Sequence, residues 1–178
     1  DQPAGTLWYH DHALGITRLN VYMGLAGFYL LRDEVEDGLN LPRGRYEIPL
    51  AIQDRSFNPD GSLLYPATWM EHFFGDYAVV NGKVWPYLSV DRGKYRFRLL
   101  NGSTSRTYRL LLSNGATFWQ IGTDLGLMNA PVAMTELVLT PGERADVIMD
   151  FEGYAPGTEI VLSNTAPEIG RASCRERG

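Results

Sequence analysis

Short segments in which apolar and polar residues alternate dominate the middle of this sequence, and they limit what the chain can fold into. Segments 46–53 and 94–99 both place an apolar side chain at nearly every second position. A period of two is typical of strands that have one face in a core and the other face in water. The alternation therefore predicts extended structure, rather than helix, over these parts of the chain.

Turn-forming pairs separate the alternating segments. Asn-Gly or Asp-Gly occurs at 60–61, 81–82, 101–102 and 114–115, and Pro-Gly occurs at 141–142. Asn, Asp and Gly tolerate the positive φ angles that tight turns between antiparallel strands require. Further strands are predicted at 77–80, 108–112, 118–121, 136–139, 145–151 and 159–162. Short strands at this spacing predict an all-β fold, either a sandwich or a barrel.

The chain is expected to divide between residues 33 and 45. Four acidic residues and a glycine follow an apolar segment at 33–38, and Pro42 and Gly44 come soon after. This composition is typical of a solvated linker. We therefore expect the end of one domain at 1–33, a linker at 34–45 and a second domain at 46–167.

A basic stretch lies within the second predicted domain. Arg96 and Arg98 occupy the polar positions of an alternating segment, and Arg106 and Arg109 follow nearby. The group could bind an anion. The alternation, however, predicts that Arg96 and Arg98 lie on the solvent-exposed face of a sheet, where pairing with acidic residues gives a modest stabilisation.

Charge and hydropathy exclude several classes of function. The 178 residues carry a formal net charge of -5, so nothing favours nucleic acid or an anionic membrane as a partner. The apolar segment 21–31 contains two glycines and is too short to span a bilayer. No phosphate-binding loop, nucleophilic serine motif or glycosidase carboxylate pair is recognisable.

The last eleven residues, 168–178, are set apart by their composition. They contain Cys174, the only cysteine of the chain, and they resemble one reading frame of a common sequencing-adapter oligonucleotide. The alternative is a genuine polar tail. We expect an artefact at 168–178 and no functional role for Cys174.

The most informative segment contains two of the three histidines, His10 and His12. On a strand, residues two apart point to the same side at about 7 Å. Two such imidazoles could each bind a different metal ion, or together bind one ion, and imidazole suits copper, zinc, iron and nickel. Two ordinary histidines on a solvated strand are the alternative, and His72, which lacks a ligand partner nearby in the sequence, is expected to be a loop residue.

The surroundings of these histidines resemble a known family. The segment 8–13 reads Trp-Tyr-His-Asp-His-Ala and is followed at 80–86 by Val-Asn-Gly-Lys-Val-Trp-Pro. Tyr-Arg-Phe-Arg-Leu-Leu-Asn occurs at 95–101 and Pro-Gly-Glu-Arg-Ala-Asp at 141–146. In this order the segments resemble the second copper motif and the second cupredoxin domain of multicopper oxidases, in particular the branch of bacterial spore-coat laccases and bilirubin oxidases.

The resemblance implies a fold and an activity. The fold would be a cupredoxin-like Greek-key β-sandwich, with one near-complete domain after the last strands of a preceding one. The enzyme would be an oxidoreductase of the laccase type, which couples one-electron oxidation of phenolic or pigment donors to four-electron reduction of dioxygen to water. Its partners would be dioxygen and a small-molecule donor, and its compartment extracellular, periplasmic or the spore coat.

The resemblance also implies metal ligands at two positions. His10 and His12 are similar to the ligands of the two coppers of a type 3 pair, within a trinuclear cluster. The type 1 and type 2 copper sites would be completed by the first and third cupredoxin domains, which lie outside this chain. Two ligands of eight do not hold such a cluster, so the chain alone is expected to be inactive.

Two other functions stay open at this point. A cupredoxin-fold protein that has lost its other copper ligands could serve as a non-enzymatic binding or scaffold protein. A mononuclear zinc or iron hydrolase using His10 and His12 would need a third ligand, for which the sequence offers only His72 or an acidic residue.

Overall fold

The computed structural model describes residues 2–68 and 70–167, and strands predominate in them. In chain order these are β1 (Gly5–His10), β2 (Ala26–Leu31), β3 (Glu47–Phe57), β4 (Leu63–Leu64), β5 (Tyr77–Val80), β6 (Lys83–Val84), β7 (Lys94–Asn101), β8 (Tyr108–Leu112), β9 (Phe118–Thr123), β10 (Gly126–Met134), β11 (Leu137–Leu139), β12 (Arg144–Asp150) and β13 (Leu162–Asn164). Two short helices, α1 (Thr17–Tyr22) and α2 (Glu34–Gly38), and a 3-10 turn at Gly44–Tyr46 lie between β1 and β3. The all-β prediction is confirmed, whereas Cys174 and the segment 168–178 lie outside the described residues.

Strands β3 to β13 form a sandwich of two sheets. The larger sheet has the order β10-β9-β12-β7-β3-β5-β6, with β4 paired to β3, and the smaller sheet has the order β11-β8-β13. Within the larger sheet β3 and β7 run parallel, and the other pairs are antiparallel. Apolar side chains of both sheets form one buried core, which includes Phe97, Leu99, Tyr108, Leu110, Phe118, Leu137 and Val147.

A separate two-stranded hairpin lies against the sandwich. Strands β1 and β2 pair in an antiparallel register that places Trp8 opposite Phe28 and His10 opposite Ala26. The chain entering β1 packs closely on the first residue of β10: a Cβ atom on Gly126 would lie 2.6 Å from the carbonyl oxygen of Ala4, and Gly126 has a φ of 120°. Only glycine suits this position, because a side chain would meet both steric and conformational resistance.

The prediction that Arg96 and Arg98 face solvent is wrong. Their exposed fractions are 1% and 0%. Both side chains do leave β7 on the face opposite the apolar core, as the alternation requires. That face is covered, because the side chains of Thr6 and Glu36 pack on it and bond to the guanidinium groups.

The segment 34–45 begins with the short helix α2 and is mostly exposed, with Glu36 as its buried residue. Asp33 caps α2, because its Oδ1 accepts a hydrogen bond from the backbone N–H of Glu36 at 2.8 Å. The side chain of Glu36 then lies against the face of β7 that carries Arg96 and Arg98, and it is 1% exposed. Solvation is therefore the wrong description of Glu36, while the domain boundary in this segment stays a prediction.

In the described part of the chain, no helix has the length and apolar character needed to cross a membrane.

Candidate metal centre

Strand β1 ends at His10, and the chain turns immediately afterwards. The backbone N–H of Asp11 donates to the carbonyl of Leu25 at 3.0 Å, which extends the hairpin by one more bond. The carboxylate of Asp11 then accepts from the N–H of Ala13 at 3.0 Å. This local bond is typical of a turn that Asp initiates. His12 therefore lies just past the strand, in a loop at residues 11–16 that we call the histidine loop.

The two imidazoles lie side by side. The ring centroids of His10 and His12 are 6.1 Å apart, and the ring planes differ by 27°. His10 is half-buried and also packs on the indole of Trp8, at a centroid distance of 4.5 Å, while His12 is exposed. The arrangement leaves both rings close together at one open edge of the hairpin.

A backbone contact defines the tautomer of His10. Its Nδ1 lies 2.7 Å from the carbonyl oxygen of Asp11. Because a carbonyl oxygen only accepts, Nδ1 carries the proton, and Nε2 of the neutral ring carries the lone pair. A hydrogen bond of this kind orients many metal-binding histidines through the nitrogen that does not bind metal.

The far end of the histidine loop leads into α1, whose last residue is Tyr22. The Tyr22 ring is 1% exposed, and its hydroxyl accepts the backbone N–H of Ser56 at 2.9 Å and donates to the carbonyl of Leu64 at 2.8 Å. The guanidinium carbon of Arg55 lies 4.4 Å from the ring centroid. Burial raises the pKa of Tyr22, so the phenol stays neutral beside the guanidinium. Burial also lowers the pKa of Arg55.

The near end of β1 is bonded to the sandwich at Thr6. The Thr6 hydroxyl accepts from Nη1 of Arg98 at 2.8 Å, and the Thr6 carbonyl accepts from Nε of Arg144 at 3.0 Å. Sequence reasoning missed both Thr6 and Tyr22. Thr6 and Arg98 are 92 positions apart in the sequence, and Tyr22 and Ser56 are 34 positions apart. A local sequence pattern does not reveal contacts between residues so far apart.

The third histidine lies apart from this centre in the contacts that the structure records. His72 is exposed, its Nε2 is 3.9 Å from Oε1 of Glu71, and its ring neighbour is Phe74. Within residues 2–68 and 70–167, no group of three or more His, Cys, Asp or Glu side chains is arranged to hold a metal ion. The hydrolase alternative therefore finds no third ligand in the described residues.

Relatives of this chain are found among curated proteins and among solved structures. No protein-family model matches the chain. A laccase of Bacillus stratosphericus is 51% identical over 93% of this chain and 35% of its own length, and a laccase of Bacillus subtilis is 48% identical over 93% and 34%. The crystal structure of a laccase from Pediococcus acidilactici superposes with a TM-score of 0.88 and 41% identity, covering 92% of this chain and 36% of that one. The chain thus spans about a third of the length of the curated relatives it matches.

Proposed function

The chain belongs to the multicopper oxidase family, and we propose that it is the part of a laccase-like oxidase that supplies two copper ligands, His10 and His12. Its cupredoxin-like sandwich accords with the solved relatives. The observation that carries the proposal is the pair of nearly parallel imidazoles, 6.1 Å apart, at the end of β1.

The donor set fits copper. Both candidate ligands are imidazoles, which copper accepts readily. The Nδ1 proton of His10 is held by the carbonyl of Asp11, so Nε2 is the nitrogen presented to a metal. The exposure of His12 leaves its ring open to an ion. In our proposal His10 binds one copper of a type 3 pair and His12 binds the other.

Copper bound there would supply the redox chemistry that couples one-electron oxidation of a phenolic or pigment donor to the four-electron reduction of dioxygen to water. The role of this chain in that chemistry is to place two neutral imidazoles side by side. Because a protonated imidazole does not bind metal, copper loading should weaken at acid pH.

Two imidazoles do not complete such a centre. The other ligands, including those of the type 1 and type 2 sites, would come from first and third cupredoxin domains outside this chain. We therefore propose that residues 1–178 alone show no oxidase activity, and that a longer protein containing them is the enzyme.

The test uses a full-length protein that contains this chain. We expect His10→Ala and His12→Ala each to lower the copper content per chain, to remove the near-ultraviolet absorption of the coupled copper pair and to abolish most oxygen consumption. His72→Ala is the matched control, because it removes an exposed histidine whose recorded neighbours are Glu71 and Phe74. Copper content unchanged by both site variants would overturn the assignment, and an unaltered full-length protein that binds no copper would favour the scaffold function.

A further inference from the structure

We propose that Thr6 and Tyr22 are positioning residues that fix the histidine loop from its two sides, an inference that rests on the proposed role of His10 and His12 as copper ligands. Thr6 lies four residues before His10, and Tyr22 lies ten residues after His12. Each is bonded to the sandwich, so the loop between them is held at both ends by a part of the chain that contains neither proposed ligand.

The first anchor is Thr6. Its side chain is 2% exposed, and its hydroxyl accepts from Arg98, a side chain that is itself completely buried. Arg98 cannot follow a movement of β1, because its Nε donates to Glu47 and its Nη2 donates to Glu36, both at 2.6 Å. A second bond, from Arg144 to the carbonyl of Thr6, fixes the backbone of β1 at the same residue.

The second anchor is Tyr22. Its hydroxyl bridges two backbone groups of the sandwich, the N–H of Ser56 and the carbonyl of Leu64. Its ring is enclosed by the guanidinium of Arg55 and, in an edge contact at 5.2 Å, by Phe73. One buried side chain thus joins the end of α1 to β3 and β4.

Within the histidine loop, the chain packs little in the described structure. His12, Ala13, Leu14 and Gly15 are all exposed, and Leu14 is exposed completely. The position of His12 relative to His10 therefore depends on the direction in which β1 enters the loop and on the place where α1 leaves it. These are the two features that Thr6 and Tyr22 fix.

Small displacements matter at such a centre. Functional side chains must be held to within about 0.5 Å of their working geometry. Loss of a group that hydrogen-bonds a metal ligand directly typically costs about 10–100-fold in metal affinity, and Thr6 and Tyr22 act one step further from the ligands. We therefore expect loss of either anchor to weaken copper binding about 10-fold while the sandwich stays folded.

The experiment compares substitutions that remove one hydroxyl group each. Tyr22→Phe and Thr6→Val remove the anchoring hydroxyls with little change of shape, and Thr6→Ser restores the acceptor. Tyr95→Phe is the matched control, because the Tyr95 side chain is also buried and its hydroxyl also accepts a backbone N–H, that of Asp91 at 2.8 Å.

Two measurements on the full-length protein report on the anchors. The first is the chelator concentration that removes half of the copper, together with the near-ultraviolet and electron paramagnetic resonance signals of the copper pair. The second, on metal-free protein, is hydrogen exchange of the amides of Asp11 and Thr17, which close the loop by bonds to Leu25 and Ala13.

We expect Tyr22→Phe and Thr6→Val to release copper at about 10-fold lower chelator concentration and to exchange these amides faster. Thr6→Ser and Tyr95→Phe should match the unaltered protein. The inference would be overturned if both anchor variants behaved like Tyr95→Phe while His10→Ala and His12→Ala still lost copper. If the histidine variants themselves kept full copper content, the proposed function would be the part that fails.

Discussion

The guanidinium of Arg98 and the carboxylate of Glu36 form an ion pair that is enclosed by protein on all sides. Nη2 of Arg98 lies 2.6 Å from Oε1 of Glu36, and the two side chains are 0% and 1% exposed. Arg96 donates to the same oxygen and makes a two-nitrogen contact with Asp146. A short helix before the sandwich thus supplies the acid for two arginines in its largest sheet.

Removal of the Glu36 side chain should make the protein less stable against unfolding. Breaking a buried ion pair leaves an uncompensated charge, which typically costs about 3–5 kcal/mol. We expect Glu36→Ala to lower the free energy of unfolding of the 178-residue chain by about that amount. Urea unfolding followed by tryptophan fluorescence, at concentrations low enough to suppress association, measures the difference.

A surface ion pair provides the control for Glu36→Ala. Arg45 and Asp91 are 2.6 Å apart, but their side chains are 71% and 59% exposed. Water screens such pairs, so Asp91→Ala should cost at most about 1 kcal/mol. Equal costs for Glu36→Ala and Asp91→Ala would show that burial of the Glu36 carboxylate has no special energetic role.

Glu47 should make the stability of the protein depend on pH below neutrality. Burial alone would raise the pKa of Glu47, but hydrogen bonds from Arg32 and Arg98 outweigh it and hold the pKa below the ordinary value of 4.5. A carboxyl whose pKa is lowered by folding stabilises the folded state above its unfolded pKa, and this stabilisation is lost as the pH falls through the folded pKa.

Glu47→Gln removes this titration. The difference in unfolding free energy between the unaltered chain and Glu47→Gln should be largest at neutral pH and should shrink as the pH falls below 4.5. Urea unfolding at a series of pH values from neutral to acid measures it. A difference that stays constant over this range would contradict a lowered pKa for Glu47.

Gly75 should tolerate no larger residue. A Cβ atom there would lie 2.7 Å from the backbone Cα and C atoms of Arg55, closer than side-chain carbons approach in real structures. The N–H of Gly75 also donates to the buried carboxylate of Asp54 at 2.7 Å. Since backbone atoms on both sides must move, Gly75→Ala should cost about 1–3 kcal/mol or more.

Gly153→Ala separates this clash from the general effect of replacing glycine. A Cβ atom on Gly153 would meet nothing within 4 Å, so the same substitution should change the unfolding free energy by no more than about 0.5 kcal/mol. Thermal unfolding of the two variants side by side measures both values. A Gly75→Ala variant as stable as Gly153→Ala would contradict the close approach of the two chain segments.

Much of the fold could be predicted from local patterns, and the failures have physical reasons. The strands predicted at 77–80 and 108–112 have the observed bounds of β5 and β8. Alternation does not predict β10, because Pro131 lies within it. Its pairing with β9 is also shifted between Leu127 and Val132. Proline is tolerated there, because β10 is at the edge of its sheet. Alternation also identified the face of Arg96 and Arg98 correctly, but it carries no information about what covers that face.

The candidate site also combines a feature that the sequence predicts with features that it does not. The spacing of two residues between His10 and His12 predicts rings on one side, and the rings do lie together, although His12 is past the end of the strand. The residues that hold the loop could not be predicted. Tyr22 resembles any apolar helix residue in sequence, and its partners become neighbours only when the sandwich forms.

The chain by itself should associate with other copies, because the hairpin and histidine loop expose a group of large apolar side chains. Tyr9, Leu14, Met23, Leu25 and Tyr29 are between 56% and 104% exposed. Tyr9 and Tyr29 lie on paired strands, and the other three lie in or beside the turns that join them. Large apolar side chains exposed in such number promote association between protein molecules. We expect size-exclusion chromatography with light scattering to show species larger than the 20.0 kDa monomer at micromolar concentration. The double variant Leu14→Ser/Met23→Ser should shift the distribution toward monomer, whereas Val161→Ser, which changes an exposed apolar residue between β12 and β13, should not. A monodisperse monomer of the unaltered chain would count against a domain boundary between residues 33 and 45, because residues 1–33 would then need no further partner.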